Sequence, residues 1–262
     1  MLKKRILSLW FPRLGVERIS RLKSVLNEVP FAIVINNNNS LVLSSLSYFA
    51  EKEGLHVGQF LTDAQILCPN LITKEEDIFA ENFFLKTLQR WAGKFSPLVT
   101  IEGQTALILD ITGCVNLFGG ERNLLNKIEQ DCINMKLTVK MGLADTIGAG
   151  ALARYEASTN PMHRTGDSID QEARATRSRS YKRNLENYLD LKPVTGALSP
   201  NIRIAPPGQT KTILSFLPVS ALRLSKKENS ELSCLGIHTI KDLEILPRGS
   251  IERRFGFNIL RR

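Results

Sequence analysis

The sequence predicts an α+β region followed by a small helical module, and three observations support this prediction. Short apolar runs of strand length alternate with amphipathic segments of helix length over the first 160 residues. Several of these apolar runs occur in pairs joined by turn residues, as in antiparallel hairpins. After the Pro-Pro-Gly at 206–208, only helix-like patterning remains. Helices that cover one face of a mainly antiparallel sheet fit this order of elements.

The α+β region opens with a buried strand and a helix. Residues 5–10 form an apolar run, and the helix that begins at Phe11-Pro-Arg is expected to turn its apolar residues inward. Two further apolar runs, 31–35 and 41–45, flank four asparagines and predict a hairpin. The inward positions of the first helix are Leu14, Ile19, Leu22, Val25 and Leu26.

The rest of this region alternates helices and strands. A short helix is predicted over 48–53, and a second has Thr62 as its N-cap and stops before Cys68-Pro69. A long helix over 75–94 is expected to bury one apolar face, formed by Phe79, Phe83, Phe84, Leu88 and Trp91. The remaining elements are strands at 97–102 and 105–110 joined at Gly103-Gln104, a helix at 122–135, a strand at 137–143 and a helix at 147–158.

Length and composition indicate an ordinary globular protein. A chain of 262 residues, 43% of them apolar, can bury a core and divide into two or more domains. The four cysteines lie far apart without a CxxC pair, and the chain has three histidines, so neither a zinc site nor a disulfide framework is expected. We expect reduced thiols in a cytoplasmic protein. The opening apolar run is too short to span a membrane, and no signal peptide is indicated.

The positive charge of the chain lies mostly in its last hundred residues. The formal net charge is +9, with 17 basic and 16 acidic residues in 1–160 and 18 basic and 10 acidic residues in 161–262. Such asymmetry favours a polyanion partner, above all a nucleic-acid backbone, although a basic surface can also serve solubility alone. Residues 174–183 hold five basic residues and no acid, so this stretch either wraps DNA or is a basic linker without specific contacts.

Three parts of the sequence, at 47–71, at 95–120 with 142–154, and at 217–243, together resemble the Y-family translesion DNA polymerases, and among them the ImuB-type branch. Residues 47–71 are similar to the fingers pattern Tyr-x-Ala-Arg-x-x-Gly, with Gly-Met-x-x-x-x-Ala and Cys-Pro after it. Residues 95–120 and 142–154 resemble the second palm motif and the Gly-Ile-Ala segment of the family. Residues 217–243 resemble the helix-hairpin-helix thumb. Their shared order along the chain makes a chance likeness improbable.

The resemblance implies a domain organisation. It implies a palm with a mixed sheet and helices on one face, a small fingers insert and a helical helix-hairpin-helix thumb. The family's little finger and C-terminal tail are expected to be absent. The expected bounds are 1–30 and 76–160 for the palm, 31–75 for the fingers, 161–205 for a basic linker or insert and 206–262 for the thumb.

The resemblance also implies that the metal site of the polymerases is lost. Polymerases join nucleotides by in-line transfer, in which clustered carboxylates hold two metal ions. When the family's Val-Glu is aligned on residues 16–17, Ser8 and Trp10 stand where two aspartates belong. The second motif falls on Glu102 and Gly103, so at most one carboxylate remains. We therefore expect no catalytic residue, no metal and no cofactor, with magnesium required only if the chain is an active polymerase.

Other positions of the family's active site are changed as well. The family grips the triphosphate with a tyrosine, an arginine three residues on and a later lysine, and these positions are Tyr48, Glu51 and Asn160 here. Tyr48 is thus a weak nucleotide-binding candidate, and Glu51 adds like-charge repulsion. The Phe-Phe expected beside the sugar is replaced by residues 12–13, Pro-Arg. Asp110 matches a position that binds no metal, and we expect it to hydrogen-bond a turn.

The thumb-like segment supplies the candidate DNA contacts. Helix-hairpin-helix modules present backbone N–H groups and nearby basic side chains to phosphates, independently of base sequence. The family's Gly-x-Gly-Lys-Lys appears at 223–227 without its glycines but with both lysines. The candidate nucleic-acid-binding residues are Lys226, Lys227, Gly236, Lys241, Arg253 and Arg254, followed by Arg261 and Arg262.

Three functions remain open at this point. The favoured one is a noncatalytic, polymerase-like DNA-binding scaffold in translesion synthesis and damage-induced mutagenesis. For such a scaffold the resemblance implies three partners besides DNA: the sliding clamp, a RecA-related accessory protein and an error-prone C-family polymerase. The alternatives are an active Y-family polymerase with divergent motifs and a protein adaptor without a role on DNA.

Overall fold

A computed structural model describes residues 4–154 and 201–256, apart from residues 24, 25, 27, 38, 223 and 225. None of the helices in this part is both long and apolar enough to cross a membrane. The strands are β1 (Ile6–Trp10), β2 (Phe31–Asn37), β3 (Ser40–Leu46), β4 (Ile72–Glu75), β5 (Leu98–Glu102), β6 (Ala106–Asp110), β7 (Lys140–Ala144) and β8 (Ile202–Ile204). The helices are α1 (Leu14–Ser20), α2 (Tyr48–Lys52), α3 (Leu61–Leu67), α4 (Ile78–Ala92), α5 (Glu121–Asn134), α6 (Ala149–Arg154), α7 (Thr210–Ser215), α8 (Lys226–Cys234), α9 (Ile240–Ile245) and α10 (Arg248–Phe255).

The strands form two sheets. The larger one has the order β5-β6-β1-β7-β8, and the smaller one has the order β3-β2-β4. β2 and β3 are antiparallel, with Ala32 opposite Leu46, whereas β4 runs parallel to β2 and β8 runs parallel to β7. The predicted hairpin of β2 and β3 is confirmed. Mixed sheets combined with helices confirm the α+β class.

The chain divides into two compact units. The first unit comprises Met1–Leu9, Asp110–Gly113 and Met141–Arg262, and the second comprises Trp10–Leu109 and Cys114–Lys140. This division follows contacts within the chain, and the bounds of palm, fingers and thumb remain predictions.

In the second unit, β2 is buried on both faces. Ala32 and Val34 on one face join a cluster with apolar residues of β3, α2 and α3. Phe31 and Ile33 on the other face pack against α1. An unbroken apolar run is typical of a strand buried on both sides, and the sequence has this run at the start of β2. β2 therefore lies between two apolar clusters, one shared with α1 and the other shared with α2, the helix that carries Tyr48 and Glu51.

The long helix of the second unit begins later than predicted. Residues 72–75 form β4, which the sequence analysis missed, and α4 follows with Asp77 as its N-cap. The Asp77 carboxylate accepts the Ala80 N–H at 2.9 Å. This capping bond stabilises the positive end of the helix.

The predicted buried face of α4 is wrong at two positions. Leu85, Leu88 and Ala92 are buried, whereas Phe79 is 90% exposed and Phe83 is 68% exposed. The face that packs against the core is thus set by the second half of the helix. The two phenylalanines lie on the opposite side, because they precede Leu85 by six and two residues rather than by a multiple of one helical turn.

Two smaller predictions in the second unit are also wrong. α1 ends at Ser20, so Leu22 lies beyond the helix and is exposed instead of facing inward. Val25, predicted to face inward too, lies outside the described residues. α3 has Phe60 rather than Thr62 at its N-cap position, and no side chain caps it.

In the first unit, α6 packs directly on β7. A Cβ atom added to Gly142 would lie 2.2 Å from the Ala149 carbonyl oxygen and 2.6 Å from the Ala153 nitrogen. Residues 202–204, which the sequence analysis placed in the linker 161–205, instead form β8. The apolar patterning after residue 208 predicts helices at 210–216, 226–235 and 240–246, which α7, α8 and α9 confirm, whereas α10 was not predicted.

Candidate active site and nucleic-acid interface

Ser8, which matches the first metal-ligand position of the family, is part of the core of the first unit. It lies in β1 between Leu7 and Leu9, and all three residues are fully buried. The Ser8 Oγ has no hydrogen-bond partner among the described residues. A neutral, enclosed hydroxyl does not supply the charge with which a carboxylate binds magnesium.

Trp10, which matches the second ligand position, has a cationic neighbour in the second unit. Its indole lies at the end of β1 and is half-buried. The Lys140 Nζ lies 5.3 Å from the ring centroid, within the range of a cation–π interaction. A positive charge beside this position opposes the binding of a metal cation there.

Glu102 and Gly103, which match the second motif, lie at the turn between β5 and β6. Glu102 ends β5 and is half-buried, and Gly103 has a φ of +60°. No atom lies within 4 Å of a Cβ added to Gly103, so the turn geometry rather than crowding explains the glycine. Over the ranges that the structure describes, no three His, Cys, Asp or Glu side chains group closely enough to hold a metal ion.

Glu17 is an acidic residue beside the opening motif, and its carboxylate holds two elements together. It accepts the Thr138 N–H at 2.8 Å and also the Thr138 hydroxyl. Burial raises the pKa of Glu17, and the bonds from Thr138 offset only part of that effect. The carboxylate thereby fastens α1 to the segment before β7.

Asp110 has the structural role that the sequence indicated. Its carboxylate accepts the Thr112 N–H at 3.0 Å and so closes the turn after β6. Burial would raise the pKa of Asp110, but the hydrogen bonds from Thr112 and the charge of Lys4 lower it.

Ser47 positions the residues that match the nucleotide pocket. Its Oγ accepts the Ala50 N–H and caps α2, and it also accepts the Phe31 N–H at the start of β2. The cap starts the helix at Tyr48 and places Glu51 nearly one turn later on the same side. The bond to Phe31 at the start of β2 thus fixes where α2 begins, and with it the helix positions of Tyr48 and Glu51.

Arg13 contacts both Tyr48 and Glu51, and all three residues align with pocket positions of the family. The Arg13 Nε donates to the Glu51 Oε1 at 3.2 Å, and the Arg13 Nη2 donates to the Glu51 Oε2. The guanidinium carbon of Arg13 also lies 5.5 Å from the centre of the Tyr48 ring. Both charge replacements are recognisable in the sequence, but their pairing was not predicted from it. The signal for it was two replacements of opposite charge at positions that share one pocket in the family.

The Arg13–Glu51 pair would oppose the binding of a triphosphate at these positions. Arg13 is engaged at two nitrogen atoms by a carboxylate, which is the geometry in which arginine also binds phosphate. A triphosphate would have to displace Glu51 from Arg13 and would meet its negative charge nearby. The pair is partly exposed, so it adds little to overall stability, and its effect is local.

In the first unit, the predicted helix-hairpin-helix turn uses its backbone N–H groups internally. Gly236 has a φ of +76°, and its N–H donates to the Ser233 carbonyl at 3.0 Å. The Asp242 carboxylate accepts the N–H groups of His238 and Thr239, and the Thr239 hydroxyl accepts the Asp242 N–H. Burial would raise the pKa of Asp242, but these hydrogen bonds lower it. Contact with a phosphate at this turn would therefore depend on basic side chains.

The candidate basic residues lie on three successive helices. Lys227 on α8, Lys241 on α9 and Arg253 and Arg254 on α10 are all exposed. Within the described part of the chain, the Lys227 Nζ lies 3.9 Å from the Glu231 Oε1, a long ion pair of a kind that costs little to open. The Lys226 side chain, Asn160, residues 174–183, Arg261 and Arg262 lie outside what the structure describes.

Comparison with known proteins places these features in a family. The model of the IMS (impB/mucB/samB) family matches residues 14–154. Protein ImuB of Caulobacter vibrioides (strain NA1000 / CB15N) is 31% identical over 204 residues, which are 78% of this chain and 35% of that protein. DNA polymerase IV of Dehalococcoides mccartyi (strain CBDB1) is 24% identical over 217 residues, which are 82% of this chain and 45% of that protein. The chain thus spans less than half the length of these relatives.

Solved structures share the fold. An insertion ternary complex of Dbh DNA polymerase has a TM-score of 0.67 at 15% identity, covering 98% of this chain and 65% of that one. DinB from Sulfolobus solfataricus has a TM-score of 0.63 at 15% identity, with the same coverage.

Proposed function

Because the chain belongs to the impB/mucB/samB family of Y-family polymerase-like proteins, in its ImuB-type branch, we propose that it is a noncatalytic DNA-binding scaffold in DNA repair and mutagenic translesion synthesis. The observation that carries this proposal is the ion pair of Arg13 with Glu51 at the position of the family's nucleotide pocket. In this role the chain keeps the polymerase fold and has lost the binding of metal and nucleotide.

The loss of chemistry follows from charge. In-line phosphoryl transfer needs divalent cations that neutralise the developing negative charge. Ser8 and Trp10 supply no carboxylate, and Lys140 places a positive charge beside Trp10. Glu102 keeps an acidic group at its family position, and the similarity to DNA polymerase IV favours an active polymerase as the second candidate function.

The DNA-binding part of the proposal is supported by charge and fold. Eighteen of the basic residues follow residue 160 against ten acidic ones, and the described candidates are exposed. The solved relatives include a polymerase in an insertion ternary complex. Basic side chains that meet phosphates bind without reading bases, as suits a scaffold for damaged or primer-template DNA.

Recruitment completes the proposed role. A scaffold without chemistry acts through partners, and the ImuB-type resemblance implies the sliding clamp, a RecA-related accessory protein and an error-prone C-family polymerase. The matched residues make up about a third of Caulobacter ImuB. The contacts with these three partners are therefore proposed for the whole protein and not assigned to residues of this chain.

The first test is primer extension with all four nucleotides and either magnesium or manganese. We expect no templated product above background from the purified chain, because the positions that match the ligand set hold at most one carboxylate. An active Y-family polymerase serves as the positive control. Templated extension that Glu102→Ala abolishes would establish the active-polymerase alternative instead.

The second test measures binding to primer-template DNA by fluorescence anisotropy at several salt concentrations. Lys226→Ala/Lys227→Ala should weaken binding equally for unrelated sequences and reduce the slope of log K against log salt by about 1 for each lysine. The matched control is Lys23→Ala/Lys74→Ala, which removes the same charge from exposed positions of the second unit.

The controls separate the remaining outcomes. Equal losses in both double variants would mean that total charge, not the predicted interface, governs binding. Unmeasurable affinity at low salt would favour the protein adaptor that has no role on DNA.

A further inference from the structure

The outer side of α4 carries an exposed stripe made of two aromatic and two cationic residues. Phe79, Phe83, Lys86 and Arg90, here called the outer stripe, follow one another at intervals of four, three and four residues, so they lie along one side of the helix. All four are exposed. They lie opposite the buried face of α4, and the stripe therefore points away from the core of the second unit.

The exposed aromatic surface is built on a well-anchored helix. Asp77 caps its N-terminus, and Leu85, Leu88 and Ala92 are buried on the opposite face. This packing fixes the position of the helix and therefore of the outer stripe. Two neighbouring phenylalanines at 90% and 68% exposure form an apolar patch of the kind that marks protein contacts. Isolated exposed residues need no such explanation, but two adjacent aromatic rings on one face do.

Charges of opposite sign lie at the two ends of the outer stripe. Glu75, Glu76 and Asp77 precede the aromatic pair, and Lys86 and Arg90 follow it. The midpoint between Phe79 and Phe83 is residue 81, and Glu76 and Lys86 each lie five residues from it. Because Glu76 lies two residues before α4 begins at Ile78, the symmetry is one of order: an acidic segment lies on one side of the aromatic pair and two basic residues lie on the other, as an antiparallel contact between two copies requires.

We propose that the outer stripe binds a second copy of the same chain in an antiparallel arrangement. Phe79 of each copy then packs against Phe83 of the other, and Lys86 lies opposite Glu76 at both ends. An unrelated acidic helix would satisfy the cationic end but would meet repulsion at the acidic end. A second copy complements both ends at once.

The size of the contact sets its strength. Stable interfaces bury about 1,200–2,000 Å² in total, whereas four phenylalanines that bury about 150–250 Å² each supply roughly 600–1,000 Å², which is below that range. The expected assembly is therefore a weak dimer whose population depends on protein concentration. This inference is independent of the proposed function, since it uses neither DNA nor the positions of the active site.

Sedimentation velocity over a concentration series tests the proposal. The unaltered chain should shift from monomer to dimer as concentration rises, and Phe79→Ser/Phe83→Ser should remain monomeric throughout. The matched control is Leu117→Ser, which removes an exposed apolar side chain outside α4 and should leave dimerisation unchanged. Circular dichroism melting should be the same for all variants, because each altered side chain is exposed.

Charge reversal tests the register of the pairing. Lys86→Glu and Glu76→Lys should each raise the dimer dissociation constant about tenfold, because either change creates like-charge contacts at two symmetry-related places. An equimolar mixture of the two single variants restores opposite charges at both contacts, so it should dimerise nearly as well as the unaltered chain.

Three results would overturn the proposal. They are a chain that stays monomeric at all concentrations, a dimer that persists in Phe79→Ser/Phe83→Ser, and a mixture of the charge variants that associates no better than either variant alone. The first would indicate that the outer stripe serves a different protein. The second would place the interface elsewhere, and the third would exclude the antiparallel register.

Discussion

Replacing Gly142 with alanine is expected to lower the free energy of unfolding by about 3 kcal/mol, as overpacking of a closed interior does. The added Cβ would lie 2.2 Å from the Ala149 carbonyl oxygen and 2.6 Å from the Ala153 nitrogen. Both are backbone atoms, so no side-chain rotation relieves the overlap and α6 must move away from β7. Chemical denaturation followed by circular dichroism measures the loss.

A second glycine of the first unit provides the control for this prediction. Gly249 lies in α10 with no atom within 4 Å of an added Cβ, so Gly249→Ala should leave stability unchanged or raise it by about 0.5 kcal/mol. If both variants unfold at the same denaturant concentration, the close approach of α6 to β7 is incorrect.

The sequence predicted correctly those strands and turns whose burial follows a regular pattern of apolar residues along the chain. The apolar run at the start of β2 and the turn residues after it predicted the hairpin with β3, because a strand buried on both faces needs apolar residues at every position. Gly103 likewise marked the turn between β5 and β6, where the structure has a φ of +60°. Local patterns of this kind need no knowledge of distant contacts.

Elements that depend on distant partners were less predictable. β4 and β8 are short strands whose stability comes from pairing with β2 and β7, and neither has an apolar run of its own. In α4 the five apolar positions at 79–91 did not specify which side faces the core. The exposure of Phe79 and Phe83 became evident only from the packing of Leu85 and Leu88.

The candidate site was predictable as a set of replacements but not as an arrangement. Alignment with the family motifs assigned Glu51 to the triphosphate position and Arg13 to the sugar position. Their ion pair joins residues that are 38 positions apart in the sequence, and a pattern along the sequence does not show that the two residues are close in space. The same limit applies to Glu17, whose partner Thr138 is 121 positions away.

A buried charge network in the first unit also joins residues that are far apart in the sequence. We expect it to contribute strongly to the free energy of unfolding. The Arg5 side chain, 6% exposed, donates to the Asp145 Oδ1 at 3.0 Å and to the Ala205 carbonyl at 2.9 Å. The Asp145 Oδ2 accepts the Gly208 N–H at 2.6 Å and the Thr210 hydroxyl at 3.1 Å. Asp145 thus joins the start of β1 to the segment that leads into α7.

Asp145→Asn should lower the free energy of unfolding by about 3 kcal/mol, because it removes the negative charge that lies 3.0 Å from the buried Arg5 guanidinium. The amide keeps the size of the side chain, so the loss reports charge rather than a cavity. Asp63→Asn, at an exposed position of α3, is the control and should change stability by less than about 0.5 kcal/mol. Denaturant unfolding at neutral pH measures both.

The pH dependence of this loss identifies its electrostatic origin. Burial would raise the pKa of Asp145, but the bonds from Gly208, Arg5 and Thr210 outweigh burial and lower the pKa below the ordinary 3.8. A folded-state pKa below the unfolded one means that the ionised carboxylate stabilises the fold above that range, and that its contribution disappears as pH falls through it. The difference in unfolding free energy between the unaltered chain and Asp145→Asn should therefore be constant near neutral pH and shrink below about pH 4. A difference that persists undiminished in acid would assign the loss to altered hydrogen bonding instead of charge.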